Sequence, residues 1–253
     1  MIEAQVQSTP SGAIMFDRSL DCAPSESWFD RAHWAALGKS ASEAGGRGGV
    51  AFVDSPVGAC ALRHYHRGGL VAWLSADGYV WTGARRTRSF HEFRLLAELA
   101  NAGLPVPTPV AARYERKGLH YRADLLTRRI APANTLAEAL ATGALDPAMA
   151  ERVGRTIARF HAASVWHADL NAHNILVDEG GGVWLIDFDR GRRRKRNPAW
   201  QADNIARLRR SLDKLGASGM PDFDTRFWHP LLAAYHDTLA RASVRAGADG
   251  ATR

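Results

Sequence analysis

The stretch from His167 to Gly191 reads HADLNAHNILVDEGGGVWLIDFDRG. It opens with two polar groups, His167 and Asp169, and reaches Asn174 just before a short apolar strand, Ile175 to Val177. A glycine turn follows at Gly180 to Gly182, then a second apolar strand, Val183 to Ile186, which ends on Asp187. A hairpin brings its open ends together, so Asn174 and Asp187 are expected side by side near Asp169. One acid could then accept a hydroxyl proton while the amide and the second acid hold magnesium on ATP, which are the parts that phosphoryl transfer needs. The plainer reading is a hairpin with polar ends. The ordered combination of His167, Asp169, Asn174, two strands, a turn and Asp187 argues against it.

Working outward, the regions before and after this segment differ in character. Residues 1–44 read as a leader with one helical piece around Trp28 to Leu37. Val50 to Val53 and Ala59 to Tyr65 are strand candidates around a turn at Asp54 to Pro56, and a further strand is read at Leu70 to Leu74. Gly45, Gly46, Gly48 and Gly49 precede the first hairpin. Such a run can let backbone N–H groups approach phosphates, or it can be a plain loop. Ser89 to Ala102 has helical spacing, with Ser89 as its cap and Glu92 completing a capping box. Tyr121 to Ile130 is a strand candidate, broken by Ala131 to Asn134. Helices are expected at Leu136 to Leu140, Pro147 to Ala163, Asp203 to Leu215 and Phe227 to Val244, with a frayed tail from Arg245 to Arg253. The expectation is an α+β protein: a β-rich N-lobe over 45–130 and a helical C-lobe over 131–253 that carries the catalytic loop.

Composition narrows the class. An apolar fraction of 46% over 253 residues is that of a globular chain with a real core. The net charge of +7 and pI of about 9.9 favour an acidic partner: a nucleotide, nucleic acid or an anionic membrane. Cys22 and Cys60 are far apart, with neither a disulfide framework nor metal spacing, which fits a reducing compartment. No signal peptide or apolar run long enough for a transmembrane helix is read, so a soluble or peripheral protein is expected. The eight tryptophans are core anchors by default, with Trp200 and Trp228 as candidates for a lipid interface.

The order H-x-D-x-x-x-x-N followed by D-F-x resembles the protein-kinase-like superfamily. A narrower resemblance covers most of the chain. LRHYHRGGL, TRSFHEFRLLAELANAGLPVPTPVAARY, YRADLLT, WHADLNAHNILVD and LIDFDRGRRR are similar to the 3-deoxy-D-manno-octulosonic acid (Kdo) kinases of the lipopolysaccharide kinase family. This resemblance implies a two-lobe protein-kinase-like fold with ATP and Mg2+ as cofactors. It also implies transfer of the γ-phosphate to the 4-hydroxyl of Kdo on a lipid A precursor (Kdo-lipid IVA), in lipopolysaccharide core biosynthesis. The implied location is peripheral, on the cytoplasmic face of a bacterial inner membrane, with the Kdo-lipid A precursor and the anionic membrane surface as partners; no obligate protein partner is inferred.

Carried onto these positions, the resemblance makes Asp169 the catalytic base, and Asn174 and Asp187 the metal-holding pair. His167 is expected to pack and hydrogen-bond the loop rather than titrate. Arg63, in Cys60-Ala61-Leu62-Arg63, stands where kinases place the strand lysine on the α- and β-phosphates. An arginine there has a different donor geometry but still neutralises phosphate. Glu92 is either its helix partner or the capping residue already noted. Gly46 and Gly48 are the candidate phosphate cover. Asn171 replaces the lysine that many protein kinases carry in this loop, so a positive charge is missing there, with His173 or a nearby arginine as candidate sources. Asp189 is either a second magnesium contact or a structural acid. The basic run Arg190 to Arg196 is either a solvated loop or a surface for an acidic acceptor head and anionic lipid.

The stretch from Phe188 to Arg253 contains no A-P-E string and is short for the segments that seat a peptide, so a glycan or small-molecule acceptor is expected. Aminoglycoside or choline phosphotransferases are the alternative enzymes, but their cationic acceptors suit an acidic pocket rather than this basic loop. A non-catalytic nucleotide or lipid-head binder is kept open by Arg63. Nucleic-acid binding has charge alone in its favour.

Overall fold

The computed structural model describes residues 1–44, 49–66 and 78–250. The strand read at Leu70 to Leu74, Trp73 and the candidate cover glycines Gly46 and Gly48 lie outside the described residues. The chain divides into two compact units, one of residues 1–103 and 107–129, the other of residues 104–106 and 130–253.

Unit 1 is built on strands β1 (Ala4–Thr9), β2 (Gly12–Asp17), β3 (Ser40–Ala44), β4 (Val50–Ser55), β5 (Gly58–His64), β6 (Tyr79–Val80), β7 (Pro109–Lys117) and β8 (His120–Arg128), with helices α1 (Arg31–Ala36) and α2 (Arg88–Asn101). Among the described residues the sheet runs β1-β2-β7-β8-β5-β4-β3, with β6 also pairing with β8. The separate leader read over residues 1–44 is a correction: β1 and β2 form a hairpin whose second strand pairs with β7. Ala13 to Asp17 are all buried, so β2 has no polar alternation by which to be recognised. A side chain at Gly12 would place its Cβ 2.0 Å from the Tyr114 carbonyl, so this pairing needs glycine.

Neighbouring residues of β7 point to opposite faces. The Arg113 guanidinium lies 5.1 Å from the Phe29 ring centre, while Tyr114 meets Phe90 of α2 edge-on at 5.1 Å. On the first of these faces Trp28, Phe29 and Trp34 pack with Ile14, Phe16, Leu62 and Leu126 into the core. Trp34 Nε1 donates to the Trp28 carbonyl at 2.8 Å, which satisfies a buried polar group.

The Ser89–Glu92 capping box is not formed. Thr87 occupies the cap position of α2, but its hydroxyl donates back to the Ala84 carbonyl at 2.9 Å rather than capping the helix, and Ser89 Oγ donates to the Arg113 carbonyl at 2.8 Å. Docking of α2 on β7 decides this use of the Ser89 hydroxyl, which local spacing could not reveal.

Unit 2 contains β9 (Ala133–Thr135), α3 (Leu136–Ala141), α4 (Pro147–Ala162), β10 (Val165–Trp166), β11 (Ile175–Asp178), β12 (Val183–Leu185), β13 (Arg192–Arg193), α5 (Pro198–Lys214) and α6 (His229–Gly250). Helix α5 begins at Pro198 rather than Asp203: Asn197 caps it by accepting from Ala199 N at 2.8 Å, and Pro198 suits the first helical position. Helix α6 continues to Gly250, through part of the tail expected to fray. Helices α4 and α6 approach so closely that a Cβ on Gly154 would lie 2.2 Å from the Leu231 carbonyl. Trp200 and Trp228 are buried, which removes them as lipid-interface residues. Among the described residues no helix is long and apolar enough to cross a membrane.

Candidate active site

Strands β11 and β12 pair antiparallel, Ile175 opposite Leu185. One step further out, Ile186 N donates to the Asn174 carbonyl at 3.1 Å. The hairpin's open end therefore sets Asn174 beside the residue preceding Asp187. Asp178 holds the other end, accepting from Gly182 N at 2.7 Å and from Trp184 Nε1 at 2.8 Å.

His167 is buried and neutral by its bonding. Its Nε2 donates to the Ile186 carbonyl at 2.9 Å, and its Nδ1 accepts from Asp169 N at 3.1 Å. Burial pushes its pKa below the ordinary histidine value, against the opposing pull of the Ile186 bond and the nearby carboxylates of Asp187 and Asp169. His167 thus packs and hydrogen-bonds the loop. Phe188 fixes the far side: it is fully buried, meets the His167 ring at 4.7 Å and stacks on Phe160 of α4 at 5.7 Å. Between these anchored residues Asp187 takes φ 65, a left-handed conformation that Asp tolerates better than most residues, and it stays exposed.

The Asp169 side chain is 62% exposed and so is open to solvent. Asn174 is buried and donates from Nδ2 to the Asp169 carbonyl at 2.9 Å, which leaves its Oδ1 directed away from that bond. Asn171 is the loop's internal staple. Its Oδ1 accepts from His173 N at 2.9 Å and Asn174 N at 3.2 Å, and its Nδ2 donates to the Asp169 carbonyl at 3.2 Å.

Sequence reading missed how α5 grips this loop. Asn204 Nδ2 donates to the His167 carbonyl at 3.0 Å, Arg207 Nη1 lies 3.5 Å from Asp169 Oδ1, and Ser211 Oγ accepts from Ala172 N at 3.1 Å. Residues 204, 207 and 211 share one helix face. That spacing was visible in the sequence, but nothing local said which loop the face would meet.

In unit 1, Arg63 on β5 pairs with Glu92 on α2, so the helix-partner reading of Glu92 holds and the capping reading does not. Glu92 is 1% exposed. It also accepts from the Tyr65 hydroxyl at 2.5 Å, and the Arg63 guanidinium lies 4.6 Å from the Tyr65 ring centre. Tyr65 was not singled out by the sequence.

The basic run is not a free loop. Arg192 and Arg193 pair with Trp166 and Val165, and the Trp166 ring carries the guanidinium groups of Arg192 at 5.1 Å and Arg194 at 4.8 Å. Lys195 and Arg196 point outward, and Arg196 Nη2 donates to Ser243 Oγ at 3.0 Å. Asp189 is half-buried just before this run.

Among the described residues no group of three or more His, Cys, Asp and Glu side chains is placed to hold a metal by itself. One amide oxygen and one carboxylate suit magnesium, a hard cation that completes its shell with substrate phosphates and water. The donor chemistry of Asn174 and Asp187 therefore fits.

A mixed α and β chain with a sheet-based unit, and a helical unit carrying Asp169, Asn174 and a hairpin that ends on Asp187, has the protein-kinase-like fold. The model of the lipopolysaccharide kinase (Kdo/WaaP) family matches residues 31–235, and the chain belongs to that family. It is 52% identical over 205 residues to the 3-deoxy-D-manno-octulosonic acid kinase of Stenotrophomonas maltophilia (strain R551-3), covering 81% of each chain. The same identity and coverage hold for the enzyme of that name from Xanthomonas campestris pv. campestris (strain B100). The Xylella fastidiosa (strain 9a5c) relative is 45% identical over 224 residues, covering 88% of this chain and 89% of the relative. Membership of a kinase family implies ATP as the phosphoryl donor.

Proposed function

We propose that this protein transfers the γ-phosphoryl group of ATP to the 4-hydroxyl of Kdo on a lipid A precursor. The exposed Asp169 carboxylate, in a loop braced by the Asn174 amide and followed by the hairpin that leads to Asp187, carries the reading, and the names of the relatives point to Kdo as the acceptor sugar. Asp169 orients the acceptor hydroxyl and takes its proton as the new O–P bond forms and the bond to the ADP oxygen breaks. Asn174 and Asp187 hold magnesium, which when bound neutralises phosphate charge. Arg63, steadied by Glu92 and Tyr65, serves the α- and β-phosphates. The exposed Arg192 and the half-buried Arg194 beside Trp166 hold the acidic acceptor head. The same basic side chains favour an anionic membrane surface, at roughly 1 kcal/mol each near it, which supports a peripheral location; the cytoplasmic face of the inner membrane is where this reading puts the acceptor.

The test is mass spectrometry of Kdo-lipid A precursor after incubation with the purified protein and Mg-ATP, with the phosphate position read by NMR. One added phosphate at the Kdo 4-position, absent with Asp169→Ala, supports the reading. Wild-type protein that leaves the Kdo unmodified, or places phosphate elsewhere on the precursor, overturns it.

A further inference from the structure

We propose that Arg207 is a catalytic residue: the cation that meets the transferred phosphoryl group beside Asp169. The inference rests on the phosphotransferase reading above and adds a group from outside the catalytic loop. The phosphoryl group in flight spreads negative charge over its equatorial oxygens, and preorganised donors aimed at that charge are worth most. Between His167 and Asn174 the loop has no lysine or arginine, and His173 is an imidazole rather than a permanent cation. Asn171, at the position where a lysine could stand, spends its oxygen on two backbone amides and its amide on the Asp169 carbonyl. Arg209 is held by Asp213 and Asp224 and lies over the rings of Phe223 and Trp228.

Arg207 differs from its neighbours on the same helix face. Asn204 and Ser211 bind main-chain groups of the loop on either side of Asp169, and these two bonds already seat α5 against it. Arg207 instead addresses the reacting carboxylate, at 3.5 Å, with its own side chain 48% exposed. An ion pair this open adds little to stability, so holding the fold is a poor account of it. A guanidinium has five donors in a fixed fork. One directed at Asp169 leaves others for phosphoryl oxygens at the position where the acceptor hydroxyl must also lie. During transfer the hydroxyl proton passes to Asp169, ADP leaves with the electrons of the broken P–O bond, and Arg207 stays protonated throughout.

The test compares full-length wild type, Arg207→Ala and Arg207→Lys. It reads kcat and KM for ATP on Kdo-lipid A precursor, and ADP formation without acceptor. Arg207→Ala is expected to lower kcat by about 10²–10³-fold while KM for ATP changes by less than about threefold. Arg207→Lys retains part of the rate, added guanidinium ion at millimolar concentration restores about tenfold or more to Arg207→Ala, and the melting temperature is unchanged. A kcat for Arg207→Ala within about threefold of wild type, or a loss that follows a lowered melting temperature and resists guanidinium rescue, overturns the inference. Wild type that modifies no Kdo acceptor defeats the acceptor reading instead. The rates of acceptor-free ADP formation then still decide the role of Arg207 by the same comparison.

Discussion

Asn174 donates from Nδ2 to the main-chain oxygen of Asp169 at 2.9 Å, so the residue offered to magnesium is also a brace for the residue offered as base. An amide has one donor end and one acceptor end. Using the first on the loop fixes the direction of the second.

Replacing this amide therefore separates two effects. Asn174→Ala is expected to raise the magnesium concentration for half-maximal turnover by about tenfold and to cost roughly 1 kcal/mol of stability through the lost hydrogen bond. Magnesium titration of the initial rate, paired with urea unfolding, checks both. A magnesium dependence identical to wild type would remove Asn174 from the metal site.

Glu92 serves Arg63 and Tyr65 at once from an almost fully buried position. Glu92→Leu leaves a largely buried guanidinium without its carboxylate, and an unfolding free energy lower by about 2–4 kcal/mol is expected. Tyr65→Phe removes one hydrogen bond and keeps the ring under Arg63, for a loss of about 1 kcal/mol. Equal costs for the two variants in urea unfolding would show that the carboxylate does not organise the pair.

His161 and Tyr235 bracket the pH range of full stability. His161 Nδ1 lies 2.8 Å from the Tyr235 hydroxyl, joining α4 to α6. Burial holds the His161 pKa down at about 4 against an ordinary 6.5, partly offset by the neighbouring Asn204 amide and reinforced by the nearby His167 ring. Above pH 6.5 the imidazole is neutral folded or unfolded. As pH falls from there to about 4, the unfolded chain binds a proton that the folded chain does not, so stability declines. The full decline is roughly 3 kcal/mol. His167, pushed down by the same kind of burial, steepens it.

Burial raises Tyr235 to about 12 from an ordinary 10.0, with Arg196 pulling the other way. Stability from this phenol is complete below pH 10.0 and is lost as pH rises through about 12. Urea midpoints measured across pH should show this plateau, and His161→Gln should flatten its acid limb. An acid limb indifferent to the substitution would contradict the assignment.

Gly154 lets the α4 and α6 backbones meet. Gly154→Ala sets a methyl against the Leu231 carbonyl, and a loss of about 1–3 kcal/mol is expected by thermal unfolding. A neutral or stabilising alanine would mean that the helices separate without cost.

Read without coordinates, the chain already disclosed the hairpin from Ile175 to Leu185 and the polar residues around it, because each strand is a short apolar run with a glycine turn between. Helix α4 was legible for the same kind of local reason: Asp146 caps it, Pro147 opens it, and Val153, Ile157 and Phe160 recur at its period. Strand β7 was not, since its alanines and charged residues have weak strand preference and it forms by pairing with β2 on one side and β8 on the other. The two meanings of Glu92 could not be separated by spacing either, because a capping box is local whereas the partner on β5 arrives through the sheet.

The sequence by itself determined the chemistry on offer: an acid, an amide and a second acid in a fixed order, with an arginine in place of a strand lysine. Tertiary structure alone decided what those groups meet: Tyr65 and Glu92 around Arg63, Trp166 among the arginines, and Arg207 against Asp169. Helix periodicity tells which residues share a face. Which face is laid against which loop depends on packing between segments distant in the chain, and no local pattern encodes it.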